Sequence, residues 1–370
     1  MPPALTLPRL VFGAGSLTAL DHELGRLRVT RALLISDAGV NRAGLVARVQ
    51  AAAPQIAATC LDIPENPTAE GADRAAAAYR AARCDGLVAL GGGSVLDTAK
   101  IVAAAVSLGL TKSADLIGRP DTLGRQLAPL IAIPTTLGTG SESSPVAALH
   151  IVPCGPAIAT RSPLMVPRVA LCDPGLTASL PAHLVAATGI DALAHCLEGY
   201  FAEPAHPVID ALALDGIARV IADIVSACAP DGGAARQSLM AAAYAGGVAI
   251  HKGLGPAHAV ALACADQHAH HGTLVGVALP HILPLLARQL PCKAARVATA
   301  MGLPSPSHIG AALLRLIRSL GLPVTLSDAG YEVRDTERLI AALMASPFNR
   351  TSPYVPTEAE YRAIAADIMP

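Results

Sequence analysis

The sequence predicts a two-part α/β protein: an N-terminal α/β domain over residues 1–176 built on a parallel sheet, then an all-helical domain over residues 177–370. Three observations predict it. The chain has 370 residues, more than one compact core usually takes. From residue 8 to about residue 175, short continuous apolar runs alternate with helical stretches, the pattern of parallel strands covered on both faces. After residue 176 or so the strand pattern fades and long segments rich in Ala and Leu take over.

Residues 31–36 (RALLIS) read as a strand, with Asp37-Ala38-Gly39 beginning the turn after it. Residues 86–90 (GLVAL) read as a second, running into Gly91-Gly92-Gly93-Ser94 and then a helix. Residues 130–133 (LIAI) are a third, ending at Pro134. In the second half, helical patterns cover 210–227, 236–246 and 306–320, with breaks expected at Pro230-Asp231-Gly232, Pro280 and Pro304.

Composition excludes several classes. Hydrophobic residues make up 52% and charged residues 15%, ample for a core and unlike a disordered chain. Without Trp and with three Phe, the chain lacks the aromatic platforms that bind single-stranded nucleic acid. A formal net charge of −1 leaves no electrostatic footprint for DNA or an anionic membrane. Mean hydropathy is +0.48, yet the strongest apolar run, 239–250, stops at His251 and Lys252, short of the roughly 20 residues of a span. The start, MPPALTLPRL, lacks the layout of an export signal. The expectation is a soluble, cytoplasmic protein with neither nucleic acid nor membrane as partner. Its eight cysteines contain no CxxC pair and read as small buried thiols.

Residues 91–100 (GGGSVLDTAK) follow a strand and open a helix. Glycines there let the backbone approach a pyrophosphate, and the free N–H groups of the helix start point at it. Ser94 would cap the helix or donate to a phosphate oxygen. Lys100 would neutralise phosphate or face solvent. The loop is neither GxGxxG nor a P-loop, so an ordinary glycine turn is the alternative. A second segment, residues 134–142 (PTTLGTGSE), brings hydroxyls and glycines to another strand end, where doubly wound sheets bind ligands. Asp37 also ends a strand. An acidic side chain there accepts from ribose hydroxyls and repels a 2′-phosphate, which predicts NAD over NADP; an Asx turn starting a helix is the alternative.

Six of the twelve histidines fall between 251 and 281. Upstream, Asp191 and His195 lie four apart in an otherwise apolar helical segment, 186–197. On a helix both project from one face, a geometry for holding a metal, although an intrahelical Asp–His pair would share that spacing. One carboxylate with three imidazoles suits Fe²⁺ or Zn²⁺. Spacing alone does not say which later histidines join.

In order along the chain come Phe12-Gly13-Ala14-Gly15, GGGSVLDTAK, PTTLGTGSE, CDPGLTASLP (172–181), TGIDALAHCLEGY (188–200), KGLGPAH (252–258) and HHGTL (270–274). Together they resemble the iron-containing (group III) alcohol dehydrogenase family, with its dehydroquinate synthase-like fold, over nearly the whole sequence. The resemblance implies an N-terminal dinucleotide-binding domain and a helical metal-binding domain, with NAD and a divalent metal (Fe²⁺ or Zn²⁺) in the cleft between them, and a homodimer or larger assembly. It puts the metal on Asp191, His195, His258 and His271, and the pyrophosphate on Gly92, Gly93 and Ser94 with Asp97 nearby. Thr135, Thr136 and Thr139 would line the cofactor, and Asp37 matches an acidic position tied to NAD preference. The implied reaction interconverts a small alcohol and its aldehyde or ketone.

Three departures stand out. The family's relay histidine, four residues after the third ligand, is Leu262 here, and the stretch from His258 to the HHG motif is one residue short. The fourth ligand is therefore His271 or else His270, and Asp266, His268 and His270 are the candidates for proton relay. No Asn follows the His-Gly pair, so the substrate pocket is not a close copy of other members. Three rival readings are a metal-independent reductase of the maleylacetate reductase type, a lyase of the dehydroquinate synthase type, and a non-catalytic binding protein on the same scaffold. The lyase would need many cations for its polyanionic substrate, and around the candidate site the sequence offers only Lys252, with Arg161 and Arg168 earlier in the chain.

Overall fold

The structure, a computed structural model, describes residues 5–116, 124, 126–152, 155, 157–267 and 269–370. It divides into two compact units. One comprises Leu5–Thr136 and Gly140–Leu180; the other comprises Pro181–Pro370 together with the short piece Leu137–Thr139.

The first unit runs β1 (Arg9–Phe12), α1 (Leu20–Arg26), β2 (Ala32–Ile35), α2 (Ala38–Arg42), α3 (Leu45–Ala52), β3 (Ile56–Cys60), α4 (Ala69–Ala81), β4 (Gly86–Gly91), α5 (Gly93–Ser107), β5 (Leu130–Pro134), β6 (Val146–His150), β7 (Ala157–Arg161) and β8 (Val169–Cys172). Among the described residues six strands form a parallel sheet in the order β1-β8-β5-β4-β2-β3. Alternation along each strand sends side chains to opposite faces. Leu33, Ile35, Leu87, Ala89 and Ala132 pack with α4 and α5, whereas Ala32, Leu34, Val88, Leu90, Ile131 and Ile133 pack with α1 and α3. Both faces are covered, which is why these strands read as unbroken apolar runs. An antiparallel ribbon, β6–β7, has no counterpart in the sequence reading.

Strand order fixes where a ligand can sit. From β2 the chain moves outward to β3 and returns to the other side of β2 as β4, so the order reverses between β2 and β4. Such switch points open a crevice beyond the carboxyl ends of the strands. Asp37 follows β2 and Gly92 follows β4, and the two strand ends are tied by the Ser36 hydroxyl donating to Leu90 O at 2.7 Å.

The second unit is helical: α6 (Ala182–Phe201), α7 (Pro207–Ala227), α8 (Gly233–Ala249), α9 (Pro256–Ala263), α10 (His271–Gln289), α11 (Pro291–Ala300), α12 (Ile309–Ser319), α13 (Thr336–Met344) and α14 (Glu358–Ile368). The predicted break at Pro280 is wrong, because α10 continues through both Pro280 and Pro284. Proline removes one N–H and crowds the preceding turn, but close packing outweighs that cost here. A Cβ on Gly310 of α12 would lie 2.8 Å from Pro280 O and 2.7 Å from Pro284 Cγ. Of the described cysteines, Cys84, Cys172, Cys196 and Cys264 are buried free thiols and Cys60 and Cys228 are half-buried. Cys292 is exposed, against expectation. Among the described residues no helix is long and apolar enough to cross a membrane.

Candidate active site

Helix α6 carries the first two predicted metal ligands. It is buried throughout from Val185 to Phe201, so a carboxylate inside it demands compensation. Three imidazoles surround it. Asp191 Oδ1 lies 3.8 Å from His195 Nε2, 3.7 Å from His258 Nε2 and 3.9 Å from His271 Nε2. These separations are too long for hydrogen bonds. They are close to the roughly 3.4 Å edge of a tetrahedron of N and O ligands at about 2.1 Å from an ion. Asp191 Oδ1 and His258 Nε2 are both buried with no hydrogen-bond partner among the described residues. Orphaned buried polar atoms are costly, and a cation between them would satisfy both. Asp191, His195 and His258 present ligand atoms all within 4.8 Å of one another. His271, at the start of α10, is the open arm, with its side chain 53% exposed against 5% for Asp191.

The imidazoles are aimed by their other nitrogens. His195 Nδ1 lies 3.2 Å from Gly138 O, and His258 Nδ1 lies 2.6 Å from Glu198 Oε2. Both acceptors require the proton on Nδ1, leaving Nε2 for the ion. The backbone crowds in to make this possible. A Cβ on Gly138 would meet Thr188 O at 2.0 Å, and one on Gly272 would meet Ala187 O at 2.5 Å. Electrostatics follow the same layout. Burial opposes ionisation of Asp191, but the three surrounding imidazoles hold its carboxyl well below the usual range. Burial lowers the His195 pKa despite Asp191 beside it. Burial also opposes protonation of His258, yet Asp191 and Glu198 together raise it to about 9.

The remaining polar candidates lie elsewhere. His281 pairs with Asp367 at 3.5 Å. Lys252 donates to Tyr200 O and to Asp210 Oδ1, so it braces the end of α6 and is not a free cation for a polyanion. His270 is half-buried at the N-cap position of α10, directly before His271. Asp266 Oδ1 accepts from the Tyr331 hydroxyl at 3.0 Å. His268 lies outside the described residues. Leu262 is half-buried on α9, one turn after His258.

In the first unit, α5 begins at the N-cap Gly92, which has no side-chain cap, so its leading N–H groups are available to an anion. Thr136 lies against this turn: a Cβ on Gly92 would meet Thr136 Cγ2 at 3.0 Å. Thr136 Oγ1 is buried with no partner among the described residues. Thr135 is buried and its N–H donates to Gly91 O. Thr139, which belongs to the helical unit, is half-buried. These features fit a bound diphosphate. Other residues of the loop have partners within the protein. The Ser94 hydroxyl donates to Glu65 O. Asp97 uses both oxygens, accepting from Ser141 Oγ at 2.6 Å and Ala148 N at 2.9 Å. Lys100 is buried, off the solvent face, and donates to Ser144 O, Ser144 Oγ and Val146 O. Burial pushes Lys100 down to about 8 and Glu142 up to about 7. Asp37 Oδ1 accepts from Val40 N at 2.9 Å, an Asx cap on α2.

Sequence reasoning missed Glu198. Asp191, His195 and Glu198 stand at i, i+4 and i+7, a single helical face, and that stripe was the available signal.

Comparison with known proteins identifies the family. Residues 8–174 match the family model "Iron-containing alcohol dehydrogenase" and residues 185–369 match "Fe-containing alcohol dehydrogenase family, C-terminal". The chain belongs to the iron-containing alcohol dehydrogenase family. It is 38% identical to a 4-hydroxybutyrate dehydrogenase of Cupriavidus necator, covering 99% of this chain and 98% of the relative. It is 28% identical to an NAD-dependent methanol dehydrogenase of Bacillus methanolicus, covering 95% of each. A solved 1,3-propanediol oxidoreductase superposes with a TM-score of 0.92 at 28% identity over 100% of both chains. As a family member, the protein is an oxidoreductase acting on an alcohol or the corresponding carbonyl compound.

Proposed function

We propose that the protein is a divalent-metal- and NAD-dependent dehydrogenase that interconverts a small alcohol with its aldehyde or ketone. Residues 1–176 would bind the dinucleotide and residues 177–370 the cation. The observation that carries the reading is the set of three imidazole nitrogens around Asp191 Oδ1, with Oδ1 and His258 Nε2 buried and unpartnered. That donor set suits Fe²⁺ or Zn²⁺, and it speaks against a metal-independent reductase, which has no use for it. When bound, the cation supplies Lewis acidity to the substrate oxygen and the nicotinamide gives or takes the hydride.

The residues divide that work. Asp191, His195, His258 and His271 hold the ion, and the Gly138 carbonyl and Glu198 aim two of the imidazoles. The uncapped start of α5, with Gly92 and Gly93, receives the pyrophosphate, and Thr136 Oγ1 supplies a hydrogen bond. Asp37, at the switch point, favours NAD by opposing a 2′-phosphate. For the proton, His270 stands next to a proposed ligand, whereas Asp266 is engaged by Tyr331. Similarity to a 4-hydroxybutyrate dehydrogenase puts 4-hydroxybutyrate and its semialdehyde first among substrates to try.

The test is a panel of aldehydes, ketones and alcohols assayed with NADH, NAD⁺ and their phosphorylated forms. Metal-stripped protein and protein reloaded with Fe²⁺ or Zn²⁺ are compared. Turnover is expected only with metal and is faster with the unphosphorylated cofactor. Full turnover after complete removal of metal would overturn the reading.

A further inference from the structure

Resting on the reading of Asp191, His195, His258 and His271 as cation ligands, we propose that Glu198 is a positioning residue. It orients His258 toward the ion and locks the start of α9 in place. The Glu198 side chain is fully buried, and its carboxylate receives three donors. Ala257 N donates to Oε1 at 2.7 Å, while His258 N at 3.3 Å and His258 Nδ1 at 2.6 Å meet Oε2. One side chain thus binds the backbone of the ligand-bearing turn and the ligand ring itself. A carboxylate only accepts, so Nδ1 carries the hydrogen and Nε2 is left as the lone-pair donor, pointing to Asp191 Oδ1. The ring has no alternative tautomer that keeps both contacts.

Local packing shows that the carboxylate is held where it is. Gly255 precedes α9, and a Cβ there would lie 2.8 Å from Glu198 Oε1. Glu198 shares the α6 face with Asp191 and His195, so one rigid helix fixes two ligands directly and a third through the carboxylate. Supporting carboxylates of this kind typically change metal affinity 10- to 100-fold when removed.

The experiment measures Co²⁺ and Zn²⁺ dissociation constants by chelator competition, the visible ligand-field spectrum of the Co²⁺ form, and the Tm of the metal-free protein. Glu198→Gln turns one acceptor into a donor facing donors, and should raise the metal dissociation constant about 10- to 100-fold and alter the Co²⁺ spectrum. In a His258→Ala background the same substitution should weaken binding no further. Gly255→Ala, which presses on the carboxylate without deleting it, should weaken metal binding in the same direction and serves if Glu198→Gln does not fold. Unchanged affinity in a folded variant, or equal weakening with and without His258, would overturn the inference while leaving the metal reading intact. Failure of the wild-type protein to bind either ion would instead sink the metal reading and this inference together.

Discussion

Gly272 lies one residue beyond the exposed, proposed ligand His271, and it offers a graded way to move that side chain without touching its chemistry. A Cβ at 272 would stand 2.5 Å from Ala187 O and 3.1 Å from Asp191 Cβ. Ordinary contact begins near 3.4 Å, so Gly272→Ala must push α10 and α6 apart by about 0.9 Å. His271 Nε2 is 3.9 Å from Asp191 Oδ1, and coordination tolerates only about 0.2 Å of error. The variant should lose this ligand's contribution while the buried trio persists. Overpacking of this kind costs about 1–3 kcal/mol of stability. The assay pairs denaturant unfolding of metal-free protein with Zn²⁺ affinity by chelator competition. The expected result is a stability loss in that range and at least about tenfold weaker Zn²⁺ binding. Wild-type affinity in a protein that has lost stability would mean that His271 is not a ligand. Wild-type values for both would mean that the close approach of α10 to α6 is wrong.

Metal affinity should depend on pH. Metal-free His258 is raised from 6.5 to about 9, so its stabilisation is fully present below 6.5 and lost as pH climbs through 9. A cation displaces that proton, so affinity should rise about tenfold per pH unit across the window and level off above it; a flat profile by chelator competition would refute this. Lys100→Met removes the donor to Ser144 and Val146 and should cost about 3 kcal/mol by breaking a buried charge network. NADH affinity, read by fluorescence titration, should stay within about threefold, because the amine is already taken up by Ser144 and Val146; a large loss would restore the phosphate role. Asp37→Ala should lose about 1 kcal/mol from the α2 cap and raise the kcat/KM ratio for NADPH over NADH about tenfold. An unchanged ratio would confine Asp37 to capping.

Much of this architecture is readable from local pattern. Buried strands at 31–36, 86–90 and 130–133 announce themselves because both sheet faces are covered, and Asp191 and His195 stand out as polar residues one turn apart in an apolar helix. What the local pattern hides is set by distant chain. Glu198 looks like an ordinary helical glutamate until α9, some 60 residues on, lays two backbone N–H groups and an imidazole on it. Lys100 sits in a motif that suggests phosphate, but residues 144 and 146 fold over and consume it. Pro280 breaks a helix in isolation and fails to do so when α12 packs a glycine against it. Among the clustered histidines, His258 and His271 converge on Asp191 whereas His281 turns to Asp367, a choice made by helix packing and invisible to spacing.

The three residues Leu137–Thr139 belong by their packing to the helical unit although the chain on both sides belongs to the other. Gly138 among them supplies the carbonyl that meets His195. A fragment starting at residue 181 would therefore arrive without one of the props of the proposed ion site. On the proposed metal reading, cutting the gene at the obvious border should yield a helical half that grips metal more weakly than the intact chain, and fusion to a foreign N-terminal half would have to carry that tripeptide along.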